Sequence, residues 1–318
     1  MQQQGIRPMV EGGILASIAI LFALISAYMP FIGPFVNLIW PVPIILLGVR
    51  HGYKWSIMAT FVAGVIIAML LHPLQAVGVV VGFGLIGIVL GYSIRSQFHP
   101  VKTLLWGSVA SLLSKVAVLL ITAVVLGVNP LNMQTEALSQ AFDQAVQMYR
   151  SLGMKEEDLT TIAANMQTML QFMKIIVPAG FILAAIADTY LNFLVAKIVL
   201  KKLGQPIQSF PPFKDWSMPG YIVYIYLLAL VGMYWGNSRQ ITELYHIAVN
   251  FQVITSTLLF VQGLALFYFL ADKYKLSRLA RGIILFLIFT NGLFTQILVV
   301  AGVFDMAFDY RQLRGPRY

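Results

Sequence analysis

Apolar residues run along this chain in blocks rather than in alternation. Stretches at about 12–30, 33–49, 55–71, 74–94, 104–128, 174–200, 219–236, 247–271 and 282–303 are almost free of charge. Each holds about 17 residues or more, enough α-helix to approach or exceed the roughly 30 Å of a bilayer's hydrocarbon core. The pattern predicts nine membrane helices. The first block, with Arg7 ahead of it and "ISA" near its end, has the outline of a signal peptide, but the eight blocks behind it favour an uncleaved first helix. One long interruption, at about 129–173, is polar. Within it Leu138, Phe142, Ala145, Val146 and Tyr149 share one helical face, as do Leu159, Ile162, Ala163, Met166, Met169, Leu170 and Met173. Acidic residues (Glu136, Asp143, Glu156, Glu157, Asp158) occupy the other faces. Two amphipathic helices joined by "SLG" are expected, a hairpin suited to lie on the membrane as a lid over the bundle.

Composition fixes the class. Of 318 residues, 59% are hydrophobic and only 10% charged, against roughly 25% charged in a soluble domain. The expected fold is an all-α, polytopic integral membrane bundle. There is no cysteine, which excludes disulfides and thiolate metal sites. His51, His72, His99 and His246 lack metal-ligand spacing, so neither metal nor other cofactor is expected. The methionines of the hairpin, without histidine or cysteine beside them, read as soft apolar packing rather than a copper site.

The charge of +9 is distributed by side. With a cytoplasmic N-terminus, the inner segments carry thirteen basic residues: Arg7, Arg50, Lys54, Arg95, Lys102, Lys197, Lys201, Lys202, Lys214, Lys273, Lys275, Arg278 and Arg281. The outer loops carry four, Arg150, Lys155, Lys174 and Arg239. This is a positive-inside bias, and it directs the surplus charge to anionic lipid headgroups rather than to nucleic acid. Arg311, Arg314 and Arg317 disagree, since nine helices place them outside. An eight-helix count with a re-entrant or interfacial final segment is the alternative.

Several motifs carry no chemistry. "GFGLIG" matches a dinucleotide fingerprint at Gly82, Gly84 and Gly87, yet it lies inside an apolar span. With Gly78 and Gly91 it gives small-xxx-small spacing, which lets helix backbones approach. There is no P-loop. Glu156 and Glu157 lack the arginine and intramembrane histidines of prenyl-protein proteases, and no serine and histidine lie together at membrane depth. An enzyme is not expected.

Lys115, within "SLLSKVAVLLITAVV", needs an answer to its charge. It lies 13 residues after Lys102, and Asp188 lies 13 residues before Lys201 on the next helix, so both sit about 20 Å from the same edge. Each heads a polar stripe: Ser108, Ser111, Lys115 and Thr122 on one helix, Ala184, Asp188 and Asn192 on the other. An ion pair between Lys115 and Asp188 is expected, either a clasp or part of a polar ligand pocket with Asn192 and Ser111.

The segment "FPPFKDWSMPGYIVYIYLLAL" resembles a proline and tryptophan loop and following helix of the YybS-like family of predicted membrane proteins of Gram-positive bacteria, with Pro211, Phe213, Trp216 and Pro219 as its most specific positions. That resemblance implies a multi-pass protein of the bacterial cytoplasmic membrane. "WPVPIILLGVRHGYKWSIMATFVAGVI" is similar to the second and third helices of the S components of energy-coupling-factor transporters, Gly48 and Gly52 occupying the turn positions. Ala19, Ala23 and Ala27 have the spacing by which such components dock on a transmembrane coupling subunit served by ATPases. The same six-helix plan resembles the cell-shape scaffold MreD. The expected organisation is thus an S-component-like part at 1–202, a proline-rich cytoplasmic loop at 203–218 and further helices at 219–318, which S components lack. The expected function is small-molecule binding or uptake, with an unknown ligand; the alternative is a scaffold for envelope or division proteins.

Overall fold

The computed structural model describes residues 3–311, with side chains from residue 6 onward; Arg314 and Arg317 lie outside the described residues. The chain is an all-α polytopic membrane bundle. Its helices are α1 (Gln3–Tyr28), α2 (Gly33–Ile39), α3 (Pro41–His51), α4 (Tyr53–Leu70), α5 (Pro73–Val79), α6 (Leu85–Arg95), α7 (Pro100–Leu126), α8 (Pro130–Ser151), α9 (Glu156–Lys202), α10 (Tyr221–Ser238), α11 (Thr242–Lys273), α12 (Arg278–Thr290) and α13 (Gly292–Phe308). Pro41, Pro73, Pro100 and Pro130 each open a helix, where a missing N–H costs nothing because that donor has no intrahelical partner. A π-helical turn, Val80–Gly84, carries α5 into α6 through the glycine-rich segment.

Seven stretches among the described residues are long and apolar enough to cross a membrane, eight if α12 and α13 count together as one span. Two expected spans differ. α10 is 18 residues long and falls outside the seven, because four tyrosines and a Gly-Asn-Ser end dilute its apolar run. The expected span at 282–303 is not straight: α12 and α13 meet at an angle of 104°. Asn291 is the cause. Its backbone is extended, and its Oδ1 accepts the Leu293 N–H at 2.9 Å, ending one helix and capping the start of the next.

The hairpin region also differs. α8 is an independent amphipathic helix, but its expected partner is the first third of α9, which runs unbroken for 47 residues. No glycine or turn signal separates the amphipathic stretch from the membrane stretch, and the lone Pro178 bends a helix without ending it. None of the α8 residues is buried, and Phe142, Ala145, Val146 and Tyr149 of its apolar face are half-buried.

Backbone packing divides the described chain into two units, one reaching to Leu170 and including Phe181–Ser209, the other formed by Gln171–Gly180 and the residues from Phe210 onward. The first unit is built on close approach of small residues, which is how helices gain van der Waals contact where lipid supplies no hydrophobic drive. Gly91 faces Gly48, so that a Cβ on Gly91 would lie 3.1 Å from the Gly48 Cα, and one on Gly87 would meet the Ile44 side chain at 2.8 Å. Gly52 takes φ +99° at the tight turn from α3 to α4, a conformation open to glycine. Trp40 is fully buried and donates its indole N–H to the Ala19 carbonyl at 2.8 Å.

That contact corrects the expectation for the alanine face. Ala19 and Ala23 are 0% and 1% exposed, packed against Trp40, Ile44, Ala59 and Ala63. They offer no surface to a coupling subunit. Ala27 is half-buried. The spacing does mark a tight helix contact, but one made inside the chain.

In the second unit α10 and α11 form an antiparallel pair, Gly232 against Ala248 and Gly236 against Tyr245. α11 and α13 cross at two glycines, where a Cβ on Gly263 would overlap the Leu298 carbonyl and one on Gly302 the Leu259 carbonyl.

Candidate functional site

The polar cluster of the first unit is carried by α7, α9 and α2. Gly107 on α7 lies against Thr189 on α9, which brings the backbone of α9 close at the level of the serine stripe. Lys115 lies two turns further along α7 and reaches back. Side chains on a helix lean toward its N-terminus, so Lys115 Nζ passes along its own helix, donates to Ser111 Oγ at 3.1 Å and pairs with Asp188 Oδ2. The two charged side chains are 19% and 11% exposed. Asn192, one turn on from Asp188, donates its amide to the Leu38 carbonyl of α2 and to the Asp188 carbonyl, both at 2.8 Å. These two bonds fix the amide orientation, so Asn192 Oδ1 is the atom left over.

Among the described residues, the buried oxygens Asn192 Oδ1, Asn37 Oδ1, Ser108 Oγ and Ser114 Oγ have no hydrogen-bond partner. Ser108, Ser114 and Lys115 lie on α7, Asp188 and Asn192 on α9, and Asn37 next to the Leu38 carbonyl that Asn192 grips. A buried polar atom without a partner costs roughly 1–3 kcal/mol, and four of the five such atoms among the described residues lie on α7, α9 and α2, the fifth being Thr60 Oγ1 on α4. Chemically the cluster offers one ammonium, one carboxylate and acceptors able to receive N–H or O–H groups.

The signature loop of the second unit is also assembled. Trp216 donates its indole N–H to the Pro211 carbonyl at 3.0 Å, and Phe213 lies edge-on to Trp216 and to Tyr268, ring centres 5.1 and 5.6 Å apart. Pro219 accepts from the Ile222 N–H at the start of α10. The exposed Lys214 donates to Asp272 at 3.0 Å, which holds its ammonium above the usual lysine range.

Two arrangements in this unit, one buried and one half-buried, had no counterpart in the sequence reading. Arg311 and Asp305, with side chains 1% and 3% exposed, are paired at 2.7 Å. Arg311 also donates to the carbonyls of Lys214 and Trp216, while Gln262 donates to Asp305 at 2.6 Å and accepts from the Met218 N–H. The second is at Pro178, which removes a rung from the α9 ladder. Asn250 on α11 fills the gap: its Oδ1 accepts from the Ala179 N–H at 2.9 Å and its amide donates to the Ile175 carbonyl at 2.8 Å. An acid inside "VFDMAF" and a proline in an apolar helix are the signals that could have pointed to both.

The family described as predicted membrane protein (DUF2232) matches residues 17–306. The uncharacterized protein YybS of Bacillus subtilis (strain 168) is 26% identical over 315 residues, covering 96% of this chain and 97% of that one. No solved structure matches.

Proposed function

We propose, for a chain that belongs to this DUF2232 family of predicted membrane proteins, that the polar cluster of the first unit binds a small polar ligand and that the protein serves as a binding or uptake component. The supporting observation is the set of unpartnered buried oxygens around an ion pair. A clasp alone would need Lys115, Asp188 and Ser111. It would not need buried oxygens without partners on Ser114, next to Lys115, and on Asn192, one turn from Asp188. Lys115 has an N–H to offer an anionic group on the ligand, while the asparagine and serine oxygens accept its donors and Asp188 keeps the ammonium oriented. An intramembrane ionisable residue that faces polar neighbours is a functional candidate for these reasons. Release to the other side would require a partner, and that partner would dock elsewhere than on the buried Ala19 and Ala23.

The test is gentle purification of the tagged full chain from a Gram-positive host, with mass spectrometry of retained small molecules and of co-purified proteins. One stoichiometric metabolite, lost in Lys115→Ala and in Asn192→Leu while the protein remains folded, supports binding. An empty wild-type protein that brings down envelope or division proteins instead sinks the proposal and favours a scaffold.

A further inference from the structure

A second site lies at the end of the first unit where α3 turns into α4 and α6 ends. A cavity of about 420 Å³ is lined there by Gly52, Tyr53, Lys54, Trp55, Tyr92 and Arg95, with His51 at its edge. We infer that this cavity holds the phosphate group of an anionic phospholipid headgroup.

The charges are arranged for an anion. Glu11 accepts from Arg50 at 2.9 Å and lies 2.8 Å from His51, so the nearby acid is already engaged by two basic groups. Lys54 makes no ion pair among the described residues, and Arg95 spends one N–H on the Val49 carbonyl at 2.9 Å. That bond anchors the guanidinium beside Gly52, where an added Cβ would lie 3.9 Å from its Cζ. The remaining donors of Arg95 form the planar fork that suits a phosphate, and Lys54 supplies a point charge beside it. Gly52 leaves α4 without a side-chain cap, and the first residues of that helix, Tyr53, Lys54 and Trp55, line the same cavity.

The aromatics set the depth. Tyr53 stands edge-on to Tyr92 at 6.0 Å, Tyr92 edge-on to Phe98 at 6.1 Å, and Lys102 sits 4.2 Å above the Phe98 ring. Tyrosine and tryptophan with lysine and arginine at a helix end belong to the headgroup layer, and basic pockets between membrane helices are where anionic headgroups bind. A diacyl lipid fits this setting: its phosphate enters between Lys54 and Arg95, and its chains follow the exposed apolar surfaces of Ile57 and Phe61 on α4.

The test uses the full chain, purified in a neutral detergent. Thermal unfolding is followed with added short-chain phosphatidylglycerol, short-chain phosphatidylcholine, or inorganic phosphate, and native mass spectrometry counts retained lipid. Phosphatidylglycerol should raise the unfolding temperature where phosphatidylcholine does not. Lys54→Gln with Arg95→Gln should weaken that effect about tenfold or more in ligand concentration. Lys201→Gln with Lys202→Gln, which removes the same charge elsewhere, should leave it within twofold. Arg95→Lys, which keeps the charge but not the fork, should fall between. Stabilisation by inorganic phosphate without retention of lipid would keep the phosphate site and assign it to a soluble ligand, overturning the lipid source. Equal loss in the two double variants, or no preference for the anionic lipid in wild type, would overturn the site. Because none of these residues belongs to the Lys115 cluster, an empty Lys115 site would leave this result untouched.

Discussion

Replacing Arg311 by methionine should unfold the C-terminal lock of the second unit. The guanidinium meets both Asp305 oxygens, Nε at 3.2 and 3.1 Å and Nη2 at 2.7 Å, and it satisfies the carbonyls of Lys214 and Trp216. Methionine fills much of the volume but none of these roles. Asp305, 4% exposed, would keep only the Gln262 amide, and a buried carboxylate stripped of its cation costs about 3–5 kcal/mol. The two loop carbonyls are part-buried and lose a donor as well, which adds up to about 1 kcal/mol each. The expected loss is therefore about 4 kcal/mol. Equilibrium unfolding of the full chain in mixed micelles, followed by tryptophan emission, measures it, and limited proteolysis near Ser209 reports release of the loop. The decisive comparison is Asp305→Leu combined with Arg311→Met, which removes both charges and should recover more than half of the loss. If Arg311→Met stayed within about 1 kcal/mol of wild type, or if the double variant fared no better than the single, the account of this pair would fail.

Lys115→Met should cost about 3–5 kcal/mol by stranding Asp188, and the charge exchange Lys115→Asp with Asp188→Lys should recover part of it; an exchange no better than either single change would mean that the two side chains do not answer each other. Asn250→Leu should cost about 1–3 kcal/mol in wild type but much less beside Pro178→Ala, which restores the α9 ladder; the same cost in both backgrounds would show that Asn250 serves some other contact. The chain lacks cysteine, so single cysteines at Gln208 and Tyr310 give clean labels. Arg281 is paired with Asp272, Phe289 packs on Phe260, Gly302 abuts Leu259, and Arg311 returns to Lys214. α12 and α13 thus meet α11 between Leu259 and Asp272, which predicts a re-entrant pair. An impermeant thiol reagent should then reach both cysteines from one side of the membrane, and opposite-side labelling would make the pair a crossing.

The membrane class and most of the helices were legible because apolar runs of spanning length have few other readings. The glycine spacing was legible too, since Gly84, Gly87 and Gly91 are where backbones meet Thr60, Ile44 and Gly48. Depth counting brought Lys115 and Asp188 to one level, and the long lysine side chain covers the remaining offset. What local pattern could not give was pairing at long range. Nothing near Ala19 says that Trp40 will cover it, so an inward face and a docking face read alike. The helix-ending role of Asn291 was hidden because Asn-Gly inside an apolar run changes mean hydropathy little. Arg311 escaped notice as one of three tail arginines, since its partners at Lys214 and Trp216 lie 97 and 95 residues away.

That separation has a consequence for biogenesis. The signature loop leaves the ribosome before α10, α11, α12 and α13, yet two of its carbonyls accept from a side chain 97 and 95 residues later. At about 5–20 residues per second the loop waits roughly 5–20 s for its closing contact. During that interval it is a nascent segment open to proteases and chaperones. A stalled or truncated chain ending just before Arg311 would carry all nine apolar runs read above and still present an unfinished loop, giving quality control a local mark of incomplete synthesis.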